Sequence, residues 1–364
     1  MPILFLTGFP GFLGSALLPR LLARAPDAEA VCLVQPRFAA LARARVDEMA
    51  KTQPDAARRV LIVEGDITRT GLGLTAVQRR ELHAGVAEVY HLAAVYDLGV
   101  ERDLAMRVNV DGTRHVLELA HGCPGLTRFH HVSTCYVSGR HRGVFRETDL
   151  EKGQAFNNFY EETKYLSEAE VQQARRAGMP ATVYRPAVVV GDSRTGETQK
   201  YDGPYFVIQW LLRQPRIAVM PVVGDPRATV FNVVPRDFVV DAITCLSGRP
   251  DTAGHTYALA DPDPLTVDAM LVELARATHR RMVRVPLSLK LAKGAIEHVP
   301  GVHRLLRIPA PAVDYFVHPT RYGTEAAQAA LAGSGIAVPR FASYSDHLVR
   351  FVREHPEIGA SAMV

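Results

Sequence analysis

Hydrophobic and polar positions fall into two alternating patterns along the first half of the chain. Short apolar runs rich in β-branched residues predict strands at Ile3–Thr7, Val31–Gln35, Val60–Asp66, Glu88–Ala94, Phe129–Thr134 and Ala181–Ala187. Between them, apolar residues recur at helical spacing over Phe12–Arg24, Phe38–Met49, Thr75–Ala84, Leu104–His121 and Asn157–Ala177. The strands are nearly unbroken apolar runs, as expected when helices cover both faces of a sheet. Strand–helix alternation of this kind predicts an α/β fold with a doubly wound parallel sheet.

After Gly191 the rhythm changes. Asp192–Asp225 is rich in Gly, Pro and aromatic residues and reads as loops around one helix. Val230–Val234 and Asp237–Ser247 resemble one more strand–helix unit, followed by a run at Thr256–Ala260. From about Leu265 the pattern is mixed and mostly helical. The expected organisation is a nucleotide-binding domain over residues 1–191 with a return at 230–247. A smaller, mostly helical C-terminal substrate domain is then built from 192–229 and 248–364.

Composition narrows the class. Apolar residues make up 48% and charged residues 22% of the 364 positions, the balance of a soluble globular protein. No window approaches the roughly 20 consecutive apolar residues that span a bilayer. The apolar start, Met1–Leu6, lacks a basic flank and is punctuated by Gly8 and Gly11, so it reads as a buried strand rather than a secretion signal. The four cysteines (Cys32, Cys123, Cys135, Cys245) show no paired spacing for zinc or redox chemistry. They read as reduced thiols; no metal is expected, and the cytoplasm is the expected compartment. A formal charge of +4, with both signs interspersed, is too mild for a nucleic-acid footprint but suits a phosphate-bearing ligand.

The first strand runs straight into Thr7-Gly8-Phe9-Pro10-Gly11-Phe12-Leu13-Gly14 and then into a helix. In this context the glycines have separate tasks: Gly8 for a tight turn, Gly11 for close approach to a pyrophosphate, Gly14 for helix–strand packing. The free N–H groups of the helix start then face the anion. The turn therefore predicts a Rossmann-type dinucleotide site. At the second strand end, Gln35-Pro36-Arg37 offers no carboxylate for ribose hydroxyls, and Arg37 suits a 2′-phosphate. NADP(H) is thus favoured over NAD, with a solvated surface arginine as the alternative for Arg37. Asp66, in Gly65-Asp66-Ile67, is placed either to accept from an adenine amino group or to cap the next turn.

Tyr160 and Lys164 stand at i and i+4 in a helical stretch, sharing one face. A nearby ammonium is expected to stabilise the phenolate and bring the tyrosine toward working pH. The fifth strand ends in His131-Val132-Ser133-Thr134-Cys135, where a hydroxyl can polarise a substrate carbonyl. Thr134 is the first choice and Ser133 the runner-up, since alternation turns them to opposite faces. The same alternation turns Cys135 away from the site.

These residues resemble an extended short-chain dehydrogenase/reductase. The resemblance takes in the Gly-rich turn, the Tyr160/Lys164 pair, His91-Leu92-Ala93-Ala94 and Asn109-Val110-Asp111-Gly112-Thr113. It implies that Ala93, Ala94, Ile67, Pro186 and Val189 line the cofactor cleft and that Asn109 joins the catalytic group by supporting its geometry. Tyr184-Arg185-Pro186, His131–Thr134 and Asp237–Ala242 resemble the acyl-thioester reductase branch, which includes fatty acyl-CoA reductases and male-sterility-type proteins. Relatives in that branch often have Arg where this chain has Gln35. The resemblance implies reduction of an acyl group on CoA or a carrier-protein thiol to an aldehyde, with a second reduction to alcohol left open. It also implies a homodimer through Leu104–His121 and Asn157–Ala177, with Val116, Leu117, Leu119 and Ala120 in contact.

Other readings stand beside this one. An alcohol/ketone dehydrogenase of hydroxysteroid type needs the same triad and an apolar pocket. A nucleotide-sensing module needs neither Tyr160 nor Lys164. Peripheral membrane contact is hinted at by the basic, apolar run Leu287–Arg307, although Pro300, Gly301 and Pro309 interrupt it. Tyr205–Leu212 is either a wall of an acyl pocket or an amphipathic core helix.

Overall fold

The computed structural model describes residues 1–289, 291 and 310–359. Its strands are β1 (Ile3–Thr7), β2 (Glu29–Val34), β3 (Val60–Glu64), β4 (Val86–His91), β5 (Arg128–Val132), β6 (Gly143–Phe145), β7 (Ala181–Pro186), β8 (Val188–Val190), β9 (Ile217–Val223), β10 (Val233–Pro235), β11 (Thr256–Leu259), β12 (Arg281–Leu287) and β13 (Thr320–Tyr322). Seven form one parallel sheet in the order β11-β7-β5-β4-β1-β2-β3. The order reverses beside β1, where Thr7 lies between Leu33 of β2 and His91 of β4. That switch point is where open α/β sheets bind ligands.

Alternation sorts the strand residues onto two faces. Leu4, Leu6, Ala30, Cys32, Val34 and Tyr184 pack under the helices Phe12–Arg24 and Arg236–Ser247. Phe5, Val31, Leu33, Phe129 and Val183 pack on the other side, under Ala76–Gly85, Gly112–His121 and Phe159–Arg176. Because both faces are covered, every residue of β5 and β7 is buried, and this is why their sequences read as unbroken runs. Over the strand ends lies a second apolar cluster, built on the helices Pro204–Leu212, Val267–Ala277 and Ser345–Glu354.

The later chain departs from the expected division. Residues 256–259 form β11 and extend the main sheet by pairing with β7, so the return does not stop at 247. Glu325–Leu331 joins the first face through Ala327 and Leu331. Each gives buried side chains to a layer begun far upstream, a relation that local periodicity does not carry. The rest is mixed and mostly helical, as expected, with β9 and β12 forming a separate parallel pair.

The predicted helix Leu104–His121 is three segments: Arg102–Ala105, a wide π turn at Met106–Asp111, and Gly112–His121. Such widened turns recur at functional sites, and this one carries Asn109.

The four apolar residues expected at a dimer contact are turned inward. Val116, Leu117, Leu119 and Ala120 are all buried against the chain's own sheet. The exposed side of these helices is charged, with Arg114 bridging to Glu170 and Arg102 to Glu162. No helix among the described residues is long and apolar enough to cross a membrane. Of the Leu287–Arg307 run, residues 290 and 292–307 lie outside the described residues.

Candidate active site

A cavity of about 580 Å³ opens at the C-terminal ends of the parallel strands. Every residue named from sequence for cofactor contact lines it, as do Thr134, Tyr160 and Lys164. The turn after β1 is shaped by what lies against it. Gly8 has φ +90, and a Cβ there would fall 2.8 Å from the backbone of Leu92 and Ala93. A Cβ on Gly14 would fall 2.5 Å from the Gly8 carbonyl oxygen. Side chains at either position would push apart the turn, the helix start and the end of β4. The helix Phe12–Arg24 begins at Gly11 with no side-chain cap, leaving its first N–H groups facing the cavity. This cradle fits a dinucleotide pyrophosphate, held by the turn from Gly8 to Gly14.

A buried chain of hydrogen bonds fixes that turn. Thr7 Oγ1 lies 2.8 Å from His91 Nδ1, and His91 Nε2 lies 2.9 Å from Thr113 Oγ1, which donates to the Asn109 carbonyl at 2.6 Å. Since the Thr113 proton is committed, His91 donates from Nε2 and accepts at Nδ1 from Thr7. Burial, together with the Lys164 charge, pushes His91 down to about 3, so it stays neutral.

At the other end, Arg37 is exposed, donates to Gln35 Oε1 at 2.9 Å and stacks on Phe38, with no carboxylate of β2 beside it. Asp66 caps its own turn, accepting from the N–H and hydroxyl of Thr68 at 2.9 and 2.8 Å. Its burial favours the neutral acid, but these bonds outweigh it and hold the carboxyl below the usual range. The cap uses one oxygen, Oδ1, and the residue still lines the cavity, so capping and adenine contact are compatible.

The reacting groups come from two elements. Asn158 caps the helix Phe159–Arg176 by accepting from the Glu161 N–H at 3.0 Å, which sets Tyr160 in its first turn at the cavity wall. Thr134 follows β5; its hydroxyl oxygen accepts from the Tyr136 N–H at 3.2 Å, and the hydroxyl stands close enough to Tyr160 to favour its ionised form. Ser133 instead donates to Glu168 at 2.6 Å, away from Tyr160. Cys135 is buried with its thiol donating to the Arg185 carbonyl at 3.0 Å, and burial pushes that thiol up.

The electrostatics differ from the expectation in one respect. Burial pushes the Tyr160 hydroxyl well above its ordinary value, opposed only by the neighbouring Thr134 hydroxyl. The Lys164 ammonium bonds to the Val132 carbonyl at 2.9 Å rather than to Tyr160, and burial pushes it down to about 8. Tyr160 is therefore a neutral donor, the form a reduction needs. Asn109 does not line the cavity. Its amide ties the Val95 backbone to the Thr163 hydroxyl at 2.8 and 3.0 Å, bracing the catalytic helix from behind.

Sequence reasoning missed Tyr96, Lys200 and Asp202. Tyr96 stands edge-on to Tyr160 with ring centroids 4.9 Å apart, and Lys200 lies 3.4 Å from Asp202 and over the Tyr96 ring. All three line the cavity, but no local pattern marks a half-buried acid in an irregular segment. Conversely, Tyr205–Ile208 and Leu211 are core, with the Tyr205 hydroxyl accepting from the Gly191 N–H. Among the described residues, no position from Tyr205 to Leu212 reaches the cavity, which decides for the core-helix reading.

Comparison with known proteins agrees with this geometry. A subunit of the linear gramicidin synthase of Brevibacillus parabrevis is 30% identical over 278 residues, covering 74% of this chain and 5% of that protein. A fatty acyl-CoA reductase, wat, of Drosophila melanogaster is 26% identical over 290 residues, covering 70% of this chain and 55% of its own. This chain thus spans less than two thirds of either relative. The crystal structure of the terminal R domain from the myxalamid PKS-NRPS biosynthetic pathway superposes with a TM-score of 0.83 at 26% identity, covering 98% of this chain and 91% of that one. The family profile described as male sterility protein matches residues 6–243, more than half of the sequence. With the Gly-rich cradle and the Thr134–Tyr160–Lys164 group in place, the chain belongs to the male sterility protein family, NAD(P)-binding oxidoreductases of the extended short-chain dehydrogenase/reductase type.

Proposed function

We propose that this protein reduces acyl thioesters, carried on CoA or on a carrier-protein thiol, to aldehydes with NADPH. The observation that carries the reading is the Thr134 hydroxyl and a protonated Tyr160 side by side on the wall of the cleft that the Gly-rich turn lines. When bound, the nicotinamide cofactor supplies the hydride. Thr134 and Tyr160 donate to the carbonyl oxygen as it gains charge, and Tyr160 passes its proton to it. Lys164 holds a positive charge beside the tyrosine that loses the proton. Collapse of the resulting hemithioacetal expels the thiol and leaves an aldehyde. Sulfur donates little resonance to the carbonyl and leaves readily, so neither a metal nor a covalent cysteine is needed.

NADPH is favoured over NADH because Arg37 stands at the rim with no carboxylate of β2 beside it. The names of the relatives support a thioester substrate: one belongs to a gramicidin synthase and one is a fatty acyl-CoA reductase. A reducing compartment such as the cytoplasm suits the four unpaired cysteines. An alcohol/ketone dehydrogenase uses the same three residues and is the second reading. NADPH oxidation against a panel of acyl-CoAs, acyl-carrier proteins, aldehydes and ketones separates them. Turnover of thioesters is expected; turnover confined to ketones refutes the proposal.

A further inference from the structure

One turn beyond Lys164 on the same helix, Glu168 is fully buried. Its carboxylate accepts from the Ser133 hydroxyl at 2.6 Å, from Arg185 Nη2 and Nε at 2.6 and 3.1 Å, and from Gln172 at 3.3 Å. Ser133 immediately precedes Thr134. Arg185 immediately precedes Pro186, whose carbonyl faces the Thr134 hydroxyl at 3.5 Å. Arg185 spends its remaining N–H groups on the carbonyls of Arg146 and Asp149, at 3.3 and 2.7 Å. One carboxylate thus joins the ends of β5 and β7 to the helix that carries Tyr160 and Lys164. Those are the elements that present the hydroxyl donor, the cleft floor and the proton donor.

Charge points the same way. Lys164 is 3% exposed, and the titratable groups that interact with its charge are His91 from β4, His131 from β5 and Glu168 from its own helix. Burial holds both histidines neutral. Glu168 also feels burial, but Arg185 and its hydrogen bonds keep it ionised; Arg175 is a further cation in its field. Among these groups Glu168 is the one anion, and it acts on the ammonium through space. A buried Arg–Glu pair by itself is weak evidence of a role, since such pairs are often replaceable. Here the third bond, to Ser133, goes directly to the strand end that holds Thr134.

We propose that Glu168 is a positioning residue for the reduction: it registers the Ser133–Thr134 segment against the Tyr160 helix and supplies the buried negative charge that keeps Lys164 cationic. The proposal rests on the roles given above to Thr134, Tyr160 and Lys164. Its test uses Glu168→Gln, Glu168→Asp and Ser133→Ala in the full chain. One readout needs no substrate: the pH at which Lys164 loses its proton, followed by NMR of ¹³C-labelled lysine. It is expected at about 8 in the wild type and should fall by roughly one unit in Glu168→Gln. Ser133→Ala, which retains the carboxylate, should leave it in place. With an acyl thioester, kcat should fall roughly ten- to a hundredfold in Glu168→Gln and less in Ser133→Ala. KM for NADPH should stay near wild type, and Glu168→Asp should recover most of the loss. A folded Glu168→Gln with wild-type kcat and an unmoved Lys164 titration overturns the proposal. If that variant fails to fold, wild-type kcat in folded Ser133→Ala overturns it instead, and a reduced kcat supports it. Should the wild type reduce no thioester at all, the proposed function fails, while the Lys164 titration still judges Glu168.

Discussion

Replacing Thr134 by valine keeps the side chain's shape and removes one hydroxyl. In the structure that residue is 5% exposed; its hydroxyl oxygen accepts from the Tyr136 N–H at 3.2 Å, while its own proton is shared between two weak acceptors, the Pro186 carbonyl at 3.5 Å and the neighbouring Tyr160 oxygen. The proton is therefore nearly uncommitted before substrate arrives and available to the oxygen that becomes negative. Removing one preorganised donor of this kind costs about 10²- to 10³-fold in kcat, or about 2.7–4 kcal/mol of barrier. A second effect runs in parallel. The Tyr136 N–H loses its acceptor in a buried setting, at a cost of about 1–3 kcal/mol in folding stability. Thermal melts with and without NADPH separate the two: a lower Tm with preserved cofactor binding and a collapsed kcat is the expected pattern. A folded Thr134→Val variant within about threefold of wild-type kcat, about 0.7 kcal/mol on the barrier scale, refutes the oxyanion role.

Cys135→Ala should retain most activity, because the thiol donates to the Arg185 carbonyl and does not face the cavity; loss of turnover in a folded variant points to covalent chemistry. Arg37→Ala should narrow a tenfold or larger preference for NADPH over NADH in binding, about 1.4 kcal/mol; equal binding of both cofactors by the wild type contradicts the reading of Gln35-Pro36-Arg37. Activity should fall as pH rises through the Lys164 value of about 8, because burial has lowered the pKa and only the protonated form, dominant below it, supports Tyr160. A rate profile flat to well above pH 9 contradicts that role.

The cofactor half of the site was legible because its determinants are local. A strand, three glycines and a helix start lie within twelve residues of one another (Ile3–Gly14), and Tyr160 and Lys164 are one turn apart. Strand alternation also separated Thr134 from Ser133, whose hydroxyl goes to Glu168. What depends on distant packing was not legible. The apolar run Tyr205–Leu212 suits a pocket wall and a core helix equally well, and only the fold decides between them. The same holds for Val116, Leu117, Leu119 and Ala120, which face their own sheet. The shift of Tyr160 had the wrong sign from sequence because i,i+4 spacing brings Lys164 near but does not aim its ammonium. That ammonium goes to the Val132 carbonyl, and burial then dominates the tyrosine. Lys200 and Asp202 escaped because nothing in an irregular segment announces an ion pair on a cleft wall.

Thioester reduction transfers one hydride and frees one thiol, and both can be followed in a single reaction. Enzyme is mixed with NADPH deuterated at the transferred position and an acyl-CoA or acyl-carrier protein. Free thiol is counted with a thiol reagent while the acyl product is examined by mass spectrometry. Thiol release should track NADPH oxidation, with deuterium on the former carbonyl carbon of an aldehyde, or of an alcohol if a second reduction follows. Deuterium transferred to ketones or aldehydes, with no thiol released from any acyl donor, contradicts the thioester reductase assignment.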